Sequence, residues 1–207
     1  MKKILFALLF LNFQLSISNL AQAQGRFDAH VFAGLNMSQI DGDRSDGYSH
    51  PGLRAGVGTS FSLGEDLNSP WRMVVELAYT NKGSYVKGTD QTMSMSYVEI
   101  PIMMSYNALE DRLRIAAGIA PAYLVSFKVT TAGAEETGWD NTATALDWLP
   151  LTFSLRYLFT DHLGVEARFQ YSALSVTKNT GSGTYFLLRS NKGCFHNLLG
   201  LGLTYKF

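Results

Sequence analysis

A single cysteine, Cys194, stands in the whole sequence, so no internal disulfide framework holds this fold together. Beyond the first two dozen positions no run of 18 apolar residues occurs, which leaves no candidate for a transmembrane helix there. Charge is sparse and balanced: 16% of residues are charged, and seventeen Lys+Arg offset seventeen Asp+Glu. That balance points to no nucleic-acid partner. The four histidines, His30, His50, His162 and His196, lack H-x3-5-H spacing, and no G-x-S-x-G turn appears. No metal and no cofactor are expected.

What is abundant is glycine and aromatic side chains, 19 Gly with 13% Phe, Trp and Tyr, a mixture that favours an all-β chain. The length of 207 residues suits one domain. The start reads as a secretory signal: "MKK", the apolar "ILFALLFL", then Ala21-Gln22-Ala23 as a small-x-small cleavage pattern. Residues 1–23 are assigned to that signal and 24–207 to one domain. Asn12, Gln14, Ser16 and Asn19 interrupt the run short of the ~20 apolar residues a membrane anchor needs.

From residue 24 onward the period is two. Apolar residues alternate over Phe27–Leu35, Leu53–Leu63, Trp71–Tyr79, Val98–Tyr106, Leu113–Phe127, Leu149–Phe159, Leu163–Ala173 and Phe195–Phe207, about eight strands. None of the apolar-face positions is charged. The opposite face carries Arg54, Arg72, Glu76, Glu99, Arg114, Lys128, Arg156, Glu166, Arg168 and Lys206, with Asp28, His30 and His196. Hydrocarbon enforces such sorting, since a Lys or Arg facing lipid at mid-membrane costs ~2–4 kcal/mol.

A soluble lipocalin-type barrel alternates as well, with its apolar face inward. Two features turn the apolar face outward. Small residues crowd the polar face (Gly56, Gly58, Gly118, Gly164, Gly200, Gly202), as a narrow eight-stranded interior requires, and aromatics sit toward strand ends on the apolar face. Trp71 and Tyr79 bracket about 27 Å of strand, or about 20 Å of membrane height once tilted ~40°. Connections at 36–51, 64–70, 80–94, 107–112, 128–147, 160–162 and 174–194 alternate long outer loops with short periplasmic turns. Pro101 and Pro121 interrupt strand patterns and predict bulges, and Pro150 a strand start. The expected fold is therefore an eight-stranded antiparallel up-and-down transmembrane barrel with a side-chain-filled lumen.

The segments "FAGLNMSQIDGD", "PGLRAGVGTSFSL", "VVELAYTNKGS", "YVEIPIMMSY" and "GIAPAYLVSF" resemble, in order, the PorT-like small outer-membrane β-barrel proteins common in Bacteroidetes. Tyr97-Val98-Glu99-Ile100-Pro101 is the most characteristic piece, and "GLGLTYKF" resembles the last strand of outer-membrane barrels generally. The resemblance implies an eight-stranded barrel in the bacterial outer membrane, and through the family's namesake a link to protein secretion. "TTAGAEETGWDNTATALDW" departs from the pattern. Tyr205 and Phe207 resemble the C-terminal insertion signal, so deleting Phe207 is expected to impair assembly more than stability.

Lumen charges in so narrow a barrel should neutralise one another. Arg54, Glu76, Glu99, Arg114, Arg156, Glu166 and Arg168 are expected to form that network, with Arg156 directly across from Glu166 about a turn near Asp161 and ~5 Å apart at Cβ. His30 and His196, pointing into the lumen on the first and last strands, are expected to be hydrogen-bonded fillers, with a pH-sensitive pair as the alternative. "DGDRSDG", residues 41–47, echoes a calcium loop, yet Asp46 fills the Gly position and Gly52 the Glu position, so turn chemistry explains it. His50 with Ser49 or Ser45 admits a lipid-enzyme scheme that spacing does not support.

The function expected is structural or binding rather than enzymatic: a platform whose outer loops meet a protein or ligand, with Tyr85, Trp139, Tyr185 and Phe186 as contact candidates. A small-solute channel and a lipid-modifying enzyme are the alternatives. Expected partners are outer-membrane lipid (lipopolysaccharide and phospholipid) and the barrel-assembly machinery during insertion, with the protein a monomer.

Overall fold

The computed structural model describes residues 27–43, 47–63, 69–136, 143–177, 184–185 and 192–207. The signal assignment at 1–23, Ser45, Asp46, Trp139 and Phe186 lie outside these residues, and of Tyr185 only the backbone is described. Among the described residues the strands are β1 (Phe27–Asp41), β2 (His50–Ser62), β3 (Trp71–Val86), β4 (Gln91–Glu99), β5 (Ile102–Ala108), β6 (Leu113–Ile119) and β7 (Ala122–Thr131). Then follow β8 (Ala134–Glu135), β9 (Leu146–Asp147), β10 (Pro150–Leu158), β11 (Leu163–Ser172), β12 (Thr184–Tyr185), β13 (Lys192–Gly193) and β14 (Phe195–Lys206).

Twelve of them form one antiparallel sheet that closes into a ring. The ring has eight staves: β1, β2, β3, β4 with β5, β6 with β7, β9 with β10, β11 and β14, each paired to the next. β14 returns to β1 over His30↔Lys206 to Asp41↔Phe195, and the Phe207 amide donates to the Ala29 carbonyl at 3.0 Å. Closure leaves no sheet edge around the ring, the condition for placing strands in hydrocarbon.

The outward face is apolar and exposed, with Leu201 72%, Leu35 67% and Leu53 61% accessible, while the inward face is polar and buried. A water-soluble barrel would invert that arrangement. Aromatic pairs ring the end that carries the short turns: Phe27 with Phe61 (5.8 Å between ring centres), Trp71 with Tyr106 (5.1 Å) and Tyr205 with Phe207 (5.2 Å). Tyr79, Tyr123 and Trp148 are exposed toward the other end. Two belts flanking an apolar band are the signature of a membrane-spanning barrel.

Two of the long connections are shorter than their composition suggests. β1 runs on to Asp41 and β2 begins at His50, so the expected 36–51 loop shrinks to 42–49. The expected 80–94 loop is a hairpin, with Ala78↔Glu99 to Val86↔Gln91 paired and only residues 87–90 turning. "TNKGSYVKGTDQTMS" loses its apolar alternation because it leaves the hydrocarbon zone, while its backbone goes on pairing.

The prolines also act differently from expectation. Across Pro101 the register runs straight, from Ala78↔Glu99 to Val75↔Ile102, and across Pro121 from Glu99↔Ala122 to Ile102↔Ile119. No residue is inserted. Each proline loses its own N–H, but its carbonyl still accepts from the neighbouring stave: Glu76 N to Pro101 O, Ile100 N to Pro121 O and Ala120 N to Pro150 O, each 2.9 Å. One ladder bond per proline is forfeited and the partner bond survives, so the staves stay in register. Pro150 begins β10, as the sequence predicts.

Extra residues sit elsewhere. Ser96 pairs with Ser126 but Tyr97 with Leu124, which bulges Val125 out of β7. Two residues separate Ile119 from Ala122 while three separate Asp147 from Leu151, a second bulge at Trp148 and Leu149. The first reverses parity: beyond Val125, Phe127 packs inward, Val129 is buried, and Lys128 swings outside to lie 3.8 Å from Glu135. Lys128 is therefore not a lumen residue. With its side chain 60% accessible, Lys128→Ala is expected to change unfolding free energy by less than about 0.5 kcal/mol. Denaturant titration in vesicles measures this, and a lumen position would cost several times more.

Candidate functional site

The lumen is filled in three polar layers and capped by an apolar one. Nearest the short turns, Asp28 gathers Arg72 (3.0 Å), Arg114 (3.6 Å) and Lys206 (3.7 Å). Arg114 is held from its own side by Asn107, whose Oδ1 accepts from Nε at 2.9 Å. Parity alone turns these side chains inward: Asp28, Arg72, Arg114 and Lys206 lie on the even face of their staves and Asn107 on the odd face of β5, each opposite the apolar face.

The middle layer is built on Glu76 of β3 and Glu166 of β11. Arg54 bridges them, with Nη2 3.0 Å from Glu76 and Nη1 3.0 Å from Glu166. Arg168 spans both at 2.9 Å. Arg156, opposite Glu166 in the β10–β11 register, donates through Nε (3.1 Å) and Nη2 (2.5 Å) to the same Glu166 oxygen, and reaches Glu76 at 3.2 Å. His30 Nε2 lies 3.1 Å from Glu76. The Arg54 guanidinium stacks 4.0 Å over the Phe32 ring. Three guanidiniums thus share two carboxylates, every one of these side chains essentially sealed from solvent.

Above them Glu99 accepts from Lys82 Nζ (2.8 Å), Thr80 Oγ1 (3.0 Å) and Gln170 Nε2 (3.1 Å). Lys82 also lies 4.7 Å over the Tyr97 ring, and the Tyr97 hydroxyl meets His196 Nε2 at 3.2 Å. Asp147 accepts from Ser172 nearby. At the outer end the lining turns apolar: Ile40, Met95, Tyr97, Ala122, Ala143 and Cys194 pack together with Met93, Leu124 and Phe127. A void of about 10 Å³ lies among Asp28, His30, Arg114 and Arg156, room for about one water.

The seven expected lumen charges are all buried, but they do not form one network. Arg54, Glu76, Arg156, Glu166 and Arg168 assemble in the middle layer, Arg114 belongs with Asp28, and Glu99 with Lys82. Lys82 was hidden from sequence reasoning because it falls in a segment without alternation. His30 and His196 are no pair: His30 faces Lys206 and His196 faces Ile40, at opposite ends of the β1–β14 seam. His50 lies 3.3 Å from Asn81 and the Ser49 hydroxyl donates to the Tyr85 carbonyl, so these two side chains engage separate partners. Tyr85 sits on the outer hairpin, its hydroxyl 2.9 Å from Asp90.

A closed antiparallel ring, apolar outside between aromatic belts and polar inside, defines a transmembrane β-barrel of the outer-membrane class. Residues 20–178 match the outer membrane protein beta-barrel domain family, and the chain belongs to that family. Among solved structures it is similar to Ail, the attachment invasion locus protein of Yersinia pestis, in complex with the heparin analogue sucrose octasulfate. That match has 13% identity and a TM-score of 0.52, over 88% of this chain and 99% of Ail. Neisserial surface protein A (12% identity, TM-score 0.45, 87% and 97% covered) is also similar. So is OprG from Pseudomonas aeruginosa (11%, 0.42, 88% and 96%). No curated protein matches the sequence significantly.

Proposed function

We propose that the protein is a binding platform of the outer membrane, its barrel a closed anchor and its outer connections the contact surface. The observation that carries this reading is the lumen: among the described residues charged layers fill the middle and an apolar cluster packs across the outer end, which leaves no continuous path for solute between them. Function then falls to the connections, where loops on a rigid scaffold ordinarily carry it. Tyr85, Trp139, Tyr185 and Phe186 are the first contacts to test. The PorT-like resemblance extends the proposal to a role in secretion or envelope assembly.

Photo-crosslinking from Tyr85 in intact cells tests the platform: a discrete adduct dependent on the outer connections supports it, and its absence from all four aromatic positions counts against it. In a planar bilayer the purified protein is expected to show no large steady conductance. An open channel would favour the solute-pore alternative, and altered envelope lipids on deletion of the gene would favour the enzyme.

A further inference from the structure

The outward face of β1, β14, β11 and β10 is not smooth. A groove of about 840 Å³ runs along it, within the size of ordinary ligand sites. Its floor is Ala167, between Leu155 and Leu201; Phe169 stands one step further out between Phe153 and Leu199, and Tyr48 lies at the outer end. Ala167 is smaller than its four outward neighbours Leu155, Leu201, Val165 and Phe169, which leaves a slot that hydrocarbon must fill.

The slot leads into a polar group. Two residues onward along the same face, Met37 is followed by Gln39 and Asp41, Leu199 is preceded by Asn197, and Phe169 is followed by Tyr171. Gln39, Asn197 and Tyr171 lie side by side in the β1–β14–β11 register. The Tyr48 hydroxyl donates to Asn197 Oδ1 at 2.7 Å, and the Gln39 amide and the Tyr171 hydroxyl donate to the Asp41 carboxylate. All five are half-buried. Burial and the neighbouring Asp41 raise the Tyr48 phenol, which stays protonated as a donor. On other staves the belt at this end is Tyr79, Tyr123 and Trp148, with no carboxylate among them.

We infer that this face binds one aminophospholipid, its acyl chain in the Ala167 groove and its ammonium group at Asp41. The Asp41 carboxylate has lone pairs beyond those taken by Gln39 and Tyr171 and attracts a cationic ammonium, whereas a bare phosphate headgroup would meet like charge. The site is separate from the outer-loop contacts and does not depend on them.

Native mass spectrometry of the full-length protein, exchanged into micelles carrying equal phosphatidylethanolamine and phosphatidylglycerol, tests the site. One retained phosphatidylethanolamine is expected, lost at least tenfold in Ala167→Phe and kept in Ala55→Phe, which enlarges an exposed outward alanine on β2, three staves round the ring from β11. Ala167→Leu serves if the Phe variant does not fold. Asp41→Asn should keep a bound lipid but lose the headgroup preference. Equal retention by Ala167→Phe, a preference for phosphatidylglycerol, retained lipopolysaccharide in its place, or no retained lipid overturns the inference.

Discussion

Replacing Glu76 by Gln is expected to destabilise the folded barrel by about 3–5 kcal/mol, the range for breaking a buried ion cluster from one side. Glu76 is the one carboxylate that Arg54, Arg156, Arg168 and His30 all reach. Without its charge, three guanidiniums remain with Glu166 alone, none able to lose its proton or to rotate into solvent. The amide keeps the size of the side chain, so the loss is electrostatic rather than a cavity. Urea unfolding in lipid vesicles, followed by tryptophan fluorescence, measures it. Combining Glu76→Gln with Arg168→Met should recover part of the loss, because it restores the balance of charge in the middle layer. A purely steric effect of Glu76→Gln would show no such recovery.

The closing seam supplies the second large effect. Gly34 of β1 pairs with Gly202 of β14, and a Cβ at Gly34 would stand 2.3 Å from the Leu201 carbonyl oxygen and 2.5 Å from the Gly202 Cα. Both atoms are backbone, so the strands themselves must move apart at the seam where the ring closes. Gly34→Ala is expected to cost about 1–3 kcal/mol, the usual penalty of overpacking, and to lower the yield of refolding into vesicles. Gly200, two residues from Gly202 on the same strand, is the control: a Cβ there meets nothing nearer than 3.6 Å. Gly200→Ala should be neutral or slightly stabilising, because alanine restricts the unfolded chain. Equal losses at both positions would show that strand glycine as such matters, not the close approach.

Much of the barrel is legible in the residues because one of its two solvents is hydrocarbon. Leu35, Leu201 and Phe207 face lipid while Arg54, Glu166 and Arg168 do not, and the cost of the reverse arrangement leaves a period of two along every stave. The pair Arg156 and Glu166 is likewise readable, since a tight turn sets the register of its hairpin. Legibility stops where that selection stops. Beyond the hydrocarbon the segment 80–94 keeps no alternation, so its hairpin and its lumen cation Lys82 leave no periodic trace. A bulge at Val125 reverses the parity on which Lys128 was assigned inward, and composition does not mark it. The outer-loop candidates show the same divide: Tyr85 is tied to Asp90 in its hairpin, a contact that its residue type alone does not announce.

Local chemistry in the sequence therefore set the all-β class, the eight staves, the lipid-facing residues and the polarity of the lumen, because each follows from neighbours one or two residues apart. Tertiary structure decided which charges meet. Glu76 joins side chains from β1, β2, β10 and β11, Glu99 finds Lys82 and Gln170, and Asp28 finds Arg72 and Arg114. Several of these contacts cross the lumen between staves that are not adjacent, at separations that turns, bulges and strand stagger set together, and no spacing along the chain encodes that sum.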